Sequence, residues 1–119
     1  MSGPTPRRVK TYTAQTGYVY QYYFVGKRAA GEAFVTEYIF DVSRDRKTVS
    51  AVSVFLQGDA VESWAATHGR RLSDTEQYAA AKLRLLKGFD EDAQITSAGR
   101  SLVLDADILE EVLEPLDLL

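Results

Sequence analysis

The sequence predicts an α+β fold: an antiparallel meander of three to four strands followed by a helical layer, in the order β-β-β-α-α-(β)-α. Three observations carry this. The first half holds runs of β-forming residues joined by short polar turns. The second half holds apolar residues at helical spacing behind capping signals. The composition, 45% hydrophobic and 26% charged over 119 residues, is that of an ordinary globular domain. Residues 1–14 read as a flexible N-terminal segment and 15–119 as a single domain; the turn-prone start, Ser2 to Pro6, is expected to fray.

The first strand is read from Tyr18 to Val25. Alternation puts Tyr18, Tyr20, Tyr22 and Phe24 on one face and Val19, Gln21, Tyr23 and Val25 on the other. Residues 26–31, with glycine at both ends, are expected to be a loop. A second strand follows over about 33–42, with Phe34, Thr36, Tyr38, Phe40 and Val42 on one face. The polar turn Ser43 to Lys47 leads into a third, from about Thr48 to Leu56. Short loops between three strands describe a meander. Both faces carry many apolar residues, so both are expected to be covered at least in part, one by the helices and the other by a second protomer, the C-terminal segment or a ligand.

Asp59 and Glu62 have capping-box spacing and open a short helix to His68, with Gly69 as its stop. Ser73 and Glu76 form a second capping box, opening a helix from Asp74 to about Lys87 with Gly88 as its end. Tyr78, Ala81, Leu85, Leu86 and Phe89 make its apolar stripe. Asp90 to Asp92 is read as an acidic break, Gln94 to Gly99 as loop and Ser101 to Leu104 as a short strand. Asp105 caps a third helix, Ala106 to Glu114, which Pro115 terminates. That acidic helix either buries its stripe of Ile108, Leu109, Val112, Leu113 and Leu116 or offers it to a partner.

Several chemistries are excluded. Without cysteine there is no disulfide, thiolate metal site or thiol nucleophile. A single histidine rules out any site needing two imidazoles from one chain. No serine stands in GxSxG and no glycine-rich phosphate loop is present. Asp90 to Asp92 lacks the spacing of a calcium loop. No cofactor or metal is therefore expected. Apolar runs are too short to span a bilayer, and no apolar segment follows Arg7, Arg8 and Lys10 as in a signal peptide, so a cytoplasmic protein without a membrane partner is expected.

Charge is unevenly spread: +4 over residues 1–50, +1 over 51–88 and −8 over 89–119. The basic and acidic parts are expected to face each other, within the fold or across a dimer. Tyr18, Tyr20, Tyr22 and Tyr38 are candidate binding residues on the aromatic sheet face, with Trp64, His68, Arg70 and Arg71 near the end of the first helix. Beside two arginines, His68 suits an anion or a proton transfer, or else caps the last carbonyls of its helix.

The leading expectation is a non-enzymatic module that self-associates as a homodimer or binds a protein partner through its aromatic sheet face. The alternative is a ligand-binding or enzymatic domain with a pocket between sheet and helices, using tyrosine hydroxyls with His68, Arg70 or Arg71. Nucleic acid held by the basic, tyrosine-rich N-terminal region ranks third, because the chain is acidic overall and lacks an RNP pattern.

Overall fold

A computed structural model describes residues 8–31, 34–96 and 100–116. The start from Ser2 to Pro6 and the end of the 94–99 loop lie outside the described residues. The fold is α+β, as the sequence predicts. Five strands form one curled sheet in chain order: β1 (Lys10–Thr13), β2 (Val19–Ala30), β3 (Val35–Ser43), β4 (Ser50–Gln57) and β5 (Ser101–Leu104). The first four are antiparallel, and β5 joins β4 in parallel. Between β4 and β5 the chain makes α1 (Gly58–His68) and α2 (Asp74–Glu91), the helical crossover that a parallel pair requires. After β5 come α3 (Ala106–Leu113) and a 3₁₀ turn (Glu114–Leu116) that begins just before Pro115.

The differences from expectation have local causes. Lys10–Thr13, within the stretch read as a flexible segment, is an edge strand pairing with Val19 to Tyr22. Asp90 anchors it: its carboxylate accepts from the Tyr12 hydroxyl at 2.8 Å and from the Gln15 backbone N–H at 2.9 Å. Of the segment read as a loop, 26–31, residues 26–30 are strand instead and Gly31 begins the turn. A bulge at Val25 absorbs one residue, pairing resumes at Gly26 with Ile39, and the hairpin closes beyond Ala30. Asp59 does not cap α1, whose N-cap is Gln57 without a side-chain bond, and Glu62 pairs with Arg71 instead. The second capping box forms as read, with Ser73 Oγ accepting from the Glu76 N–H and Glu76 Oε1 accepting from the Ser73 N–H. Gly69 ends α1 in the left-handed conformation, φ 75°.

Gly88 does not stop α2; it lies buried inside it. A Cβ there would sit 2.8 Å from Ile95 Cδ1 and 2.9 Å from Leu102 Cδ1. The glycine is therefore a packing residue that lets the helix approach β5 and the loop before it. The next residue, Phe89, stacks on Tyr20 with ring centroids 4.2 Å apart and planes 4° from parallel. Around this contact the core fills with Tyr22, Tyr38, Phe40, Val52, Val54 and Leu56 from the sheet face beneath the helices and Leu85 from α2.

The acidic third helix is core. Asp105 caps it by accepting from the Ile108 N–H, and Leu109, Val112 and Leu113 are buried among the helices. Leu109→Ala should cost about 2–5 kcal/mol, measured as a lowered urea midpoint at unchanged slope. Tyr38 is fully buried and, among the described residues, its hydroxyl has no hydrogen-bond partner. Burial pushes that hydroxyl's pKa up, so it stays protonated. Tyr38→Phe removes an unsatisfied buried group at constant shape and should be neutral or stabilising by about 1 kcal/mol in the same assay.

Candidate functional site

The helices all lie on one side of the sheet, so its other face is open. Cross-strand register defines that face. It carries Val19, Gln21 and Tyr23 from β2, then Gly26 and Arg28 past the bulge. From β3 come Val35, Glu37, Ile39 and Asp41, from β4 Ala51, Ser53 and Phe55, and from β5 Val103. Val19, on β2 beside the edge strand β1, and Val103, on the opposite edge strand β5, are 45% and 44% exposed, while Val35, Ile39 and Phe55 are half-buried.

The polar groups of this face are matched within it. Arg28 Nε donates to Glu37 Oε1 at 2.7 Å, and Ser53 Oγ donates to Glu37 Oε2 at 2.6 Å. These bonds hold the Glu37 carboxyl below the usual carboxylate range, Arg28 first and Ser53 second. Although on the open face, Glu37 is buried under the side chains around it. The Tyr23 hydroxyl donates to Asp41 Oδ2 at 2.7 Å. The result is a surface whose polar centre is internally hydrogen-bonded, with Val19, Ile39, Phe55 and Val103 around it and Thr11, Thr13 and Ser101 towards its edges.

The candidate residues read from sequence fall into two separate groups. Tyr20, Tyr22 and Tyr38 point into the core under the helices, not onto a free face. Tyr18 is 43% exposed, with the Arg44 guanidinium 4.1 Å over its ring. Trp64, His68 and Arg70 do come together, on the helical side. The rings of Trp64 and His68 stack at 4.2 Å, and the Arg70 guanidinium lies 5.2 Å from the Trp64 ring centroid. His68 does not cap its helix, where the Gly69 N–H bonds the Ala65 carbonyl instead. Its Nε2 meets the two Glu110 oxygens at 2.5 and 3.0 Å, tying α1 to α3. Arg70 makes a two-pronged bond to Glu76 at 2.9 and 2.8 Å, and Arg71 pairs with Glu62. A hollow of about 440 Å³ does open between sheet and helices, lined among others by Thr36, Leu56, Asp59, Arg71 and Gln77; neither His68 nor a tyrosine lines it.

The aromatic face offered as a binding face packs under the helices, and the face left open is the other one. The signal that separates the two was in the alternation: Gln21, Glu37, Asp41 and Ser53 share one face, whereas the other is almost wholly aromatic and aliphatic. The more polar face stays outside, because burying those groups under a helix would strand their hydrogen bonds. Basic and acidic parts also pair differently from expectation. Among the described residues, no cation of 1–50 forms an ion pair with a carboxylate of 89–119.

No group of three or more His, Asp or Glu among the described residues could hold a metal, and no described helix is long and apolar enough to cross a membrane. The chain matches no protein-family model, and no curated protein or solved structure is significantly similar to it.

Glu76 carries the largest electrostatic perturbation. Arg70 first, then the Ser73 N–H, lower its pKa from 4.5 to about 2. A depressed carboxylate stabilises the fold above its unfolded value and loses that contribution as pH falls through the folded one. Glu76→Gln keeps the cap acceptor but removes the ion pair. The wild type should therefore melt higher than this variant at pH ~7, with the gap closing between pH ~4.5 and ~2 in parallel thermal scans.

Proposed function

We propose that the chain is a non-enzymatic, self-associating module whose open sheet face docks a second copy of itself. The observation that carries this is the open face itself: Val19 and Val103 stand exposed on it, and its central polar groups, Arg28 with Glu37 and Tyr23 with Asp41, are hydrogen-bonded to one another. A face whose central polar groups already have partners on the same chain suits its own copy across a twofold axis. Two such sheets would stack about 10 Å apart, with strands crossing at about 30°.

Size supports a reversible dimer. Five strands about 4.8 Å apart, three of them roughly 27–40 Å long and two about 13 Å, give on the order of 500 Å² per face. Two faces together hide roughly 1,000 Å², the lower end of specific interfaces. Val19, Ile39, Phe55 and Val103 would lie in the contact, and the Arg28–Glu37–Ser53 cluster would be desolvated at its centre with its hydrogen bonds already made.

A pocket-based function has one supporting observation, the hollow beside Arg71, but its walls lack the histidine and tyrosines that such chemistry would use. Self-association is the stronger reading.

Sedimentation equilibrium over a micromolar concentration range tests it. The wild type should give a concentration-dependent average mass between one and two chains. Ile39→Lys and Val103→Lys should each shift it to the monomer with the far-UV spectrum unchanged. Val103→Lys is the safer variant, because that side chain is already exposed in the single chain. A wild type that stays monomeric up to ~1 mM would overturn the reading.

A further inference from the structure

Where β1 ends at Lys10, the edge of β2 and the flank of α2 enclose a second hollow, of about 360 Å³. It lies at the sheet's edge towards the helical side, and Tyr23 of the open face reaches its margin. Lys10 and Tyr22 are cross-strand partners and share a side, while Tyr78 and Lys82 are one helical turn apart on α2. The wall is aromatic, made by Tyr22, Phe24 and Tyr78, with Phe24 and Tyr78 edge to face at 4.9 Å. The rim is cationic, made by Arg8, Lys10 and Lys82. No carboxylate lines it.

That arrangement stands out in a chain of net charge −3. Arg28, Arg70, Arg71 and Lys87 each meet a carboxylate. Among the described residues, Arg8, Lys10 and Lys82 meet none. Three positive groups around one hollow repel one another, and an anion seated among them removes that cost. Burial pushes the pKa of both Tyr22 and Tyr78 up, so their hydroxyls remain protonated donors at neutral pH. β2 adds backbone groups: β1 covers its edge only as far as Tyr22, and among the described residues no strand pairs beyond it on that side.

We propose that this notch binds a small organic anion with a planar ring. The ring packs against Phe24 and Tyr78, and the phosphate or carboxylate sits among Arg8, Lys10 and Lys82. Aromatic faces suit a ring, and convergent cations suit its charged head. The volume lies near the lower end of ligand pockets, room for one ring and its headgroup and not for a run of nucleotides.

The test titrates the full chain at low salt with adenosine monophosphate and with benzoate, followed by amide NMR shifts around Tyr78 and Lys82. Adenosine, inorganic phosphate and a short single-stranded oligonucleotide serve as comparisons. At least one ring-bearing anion should bind with a Kd of ~1 mM or tighter, and preference between the two identifies the headgroup. Adenosine and inorganic phosphate should each bind at least about tenfold more weakly than adenosine monophosphate if phosphate is the preferred head. Lys10→Ala and Lys82→Ala should each weaken binding several-fold, while Lys47→Ala, in the β3–β4 turn, and Val103→Lys, on the opposite face, should leave it unchanged. The proposal is overturned if neither ring-bearing anion moves those resonances, if inorganic phosphate binds as tightly as the best of them, if only the oligonucleotide binds, or if Lys82→Ala has no effect.

Discussion

The docking of α2 onto the tyrosine face of the sheet is the constraint from which the rest of the molecule follows. Phe89 is its centre. It stacks on Tyr20 at 4.2 Å and touches Tyr22 and Tyr12 at 5.8 and 6.0 Å. Its neighbour Gly88 gives up a side chain so that Ile95 and Leu102 can close against the helix. Asp90, one residue further on, holds the β1–β2 connection. Three consecutive residues thus bind the helix to the first, second and fifth strands at once.

Once α2 occupies that face, α1 and α3 have no route to the other. Both strands they follow, β4 and β5, lie side by side and parallel, and the buried stripes of the two helices meet each other and α2. The sheet is left with one dry face and one wet face. What occupies the wet face is a hydrogen-bonded polar centre with apolar side chains beside it, and this combination separates the surface from a plain solvated one. A solvated face would scatter lysine and glutamate; a core face would carry none. The open face here does neither, and the proposal of a second copy as its partner rests on that.

The molecule also distributes its charges unevenly for a physical reason. Lys87 and Arg70 have carboxylates within reach at helical or loop spacing, in Glu91 and Glu76. Lys10 of the short edge strand β1 pairs with none among the described residues, and the nearby Asp90 is bonded to the Tyr12 hydroxyl and the Gln15 N–H. Lys10 therefore stands beside Lys82 and a row of aromatic side chains, and the electrostatic character of that notch is a product of topology.

Local chemistry was legible in the residue order. Alternation placed the strands, the Ser73–Glu76 pair placed the start of α2, Gly69 and Pro115 placed helix ends, and Asp105 placed a cap, because each depends on interactions spanning a few residues. Distant partners were not legible. That Gly88 packs where it was read as a stop depends on Ile95 and Leu102; that residues 26–30 are strand depends on β3 offering a continuous ladder past the bulge. Which sheet face the helices would choose was hinted at by Glu37 and Asp41, yet it was decided only when the aromatic side chains of β2 and α2 met. Sequence alone determined the elements and the inventory of chemistry; the tertiary structure decided which of it faces water, because burial is a property of contacts between segments far apart in the chain.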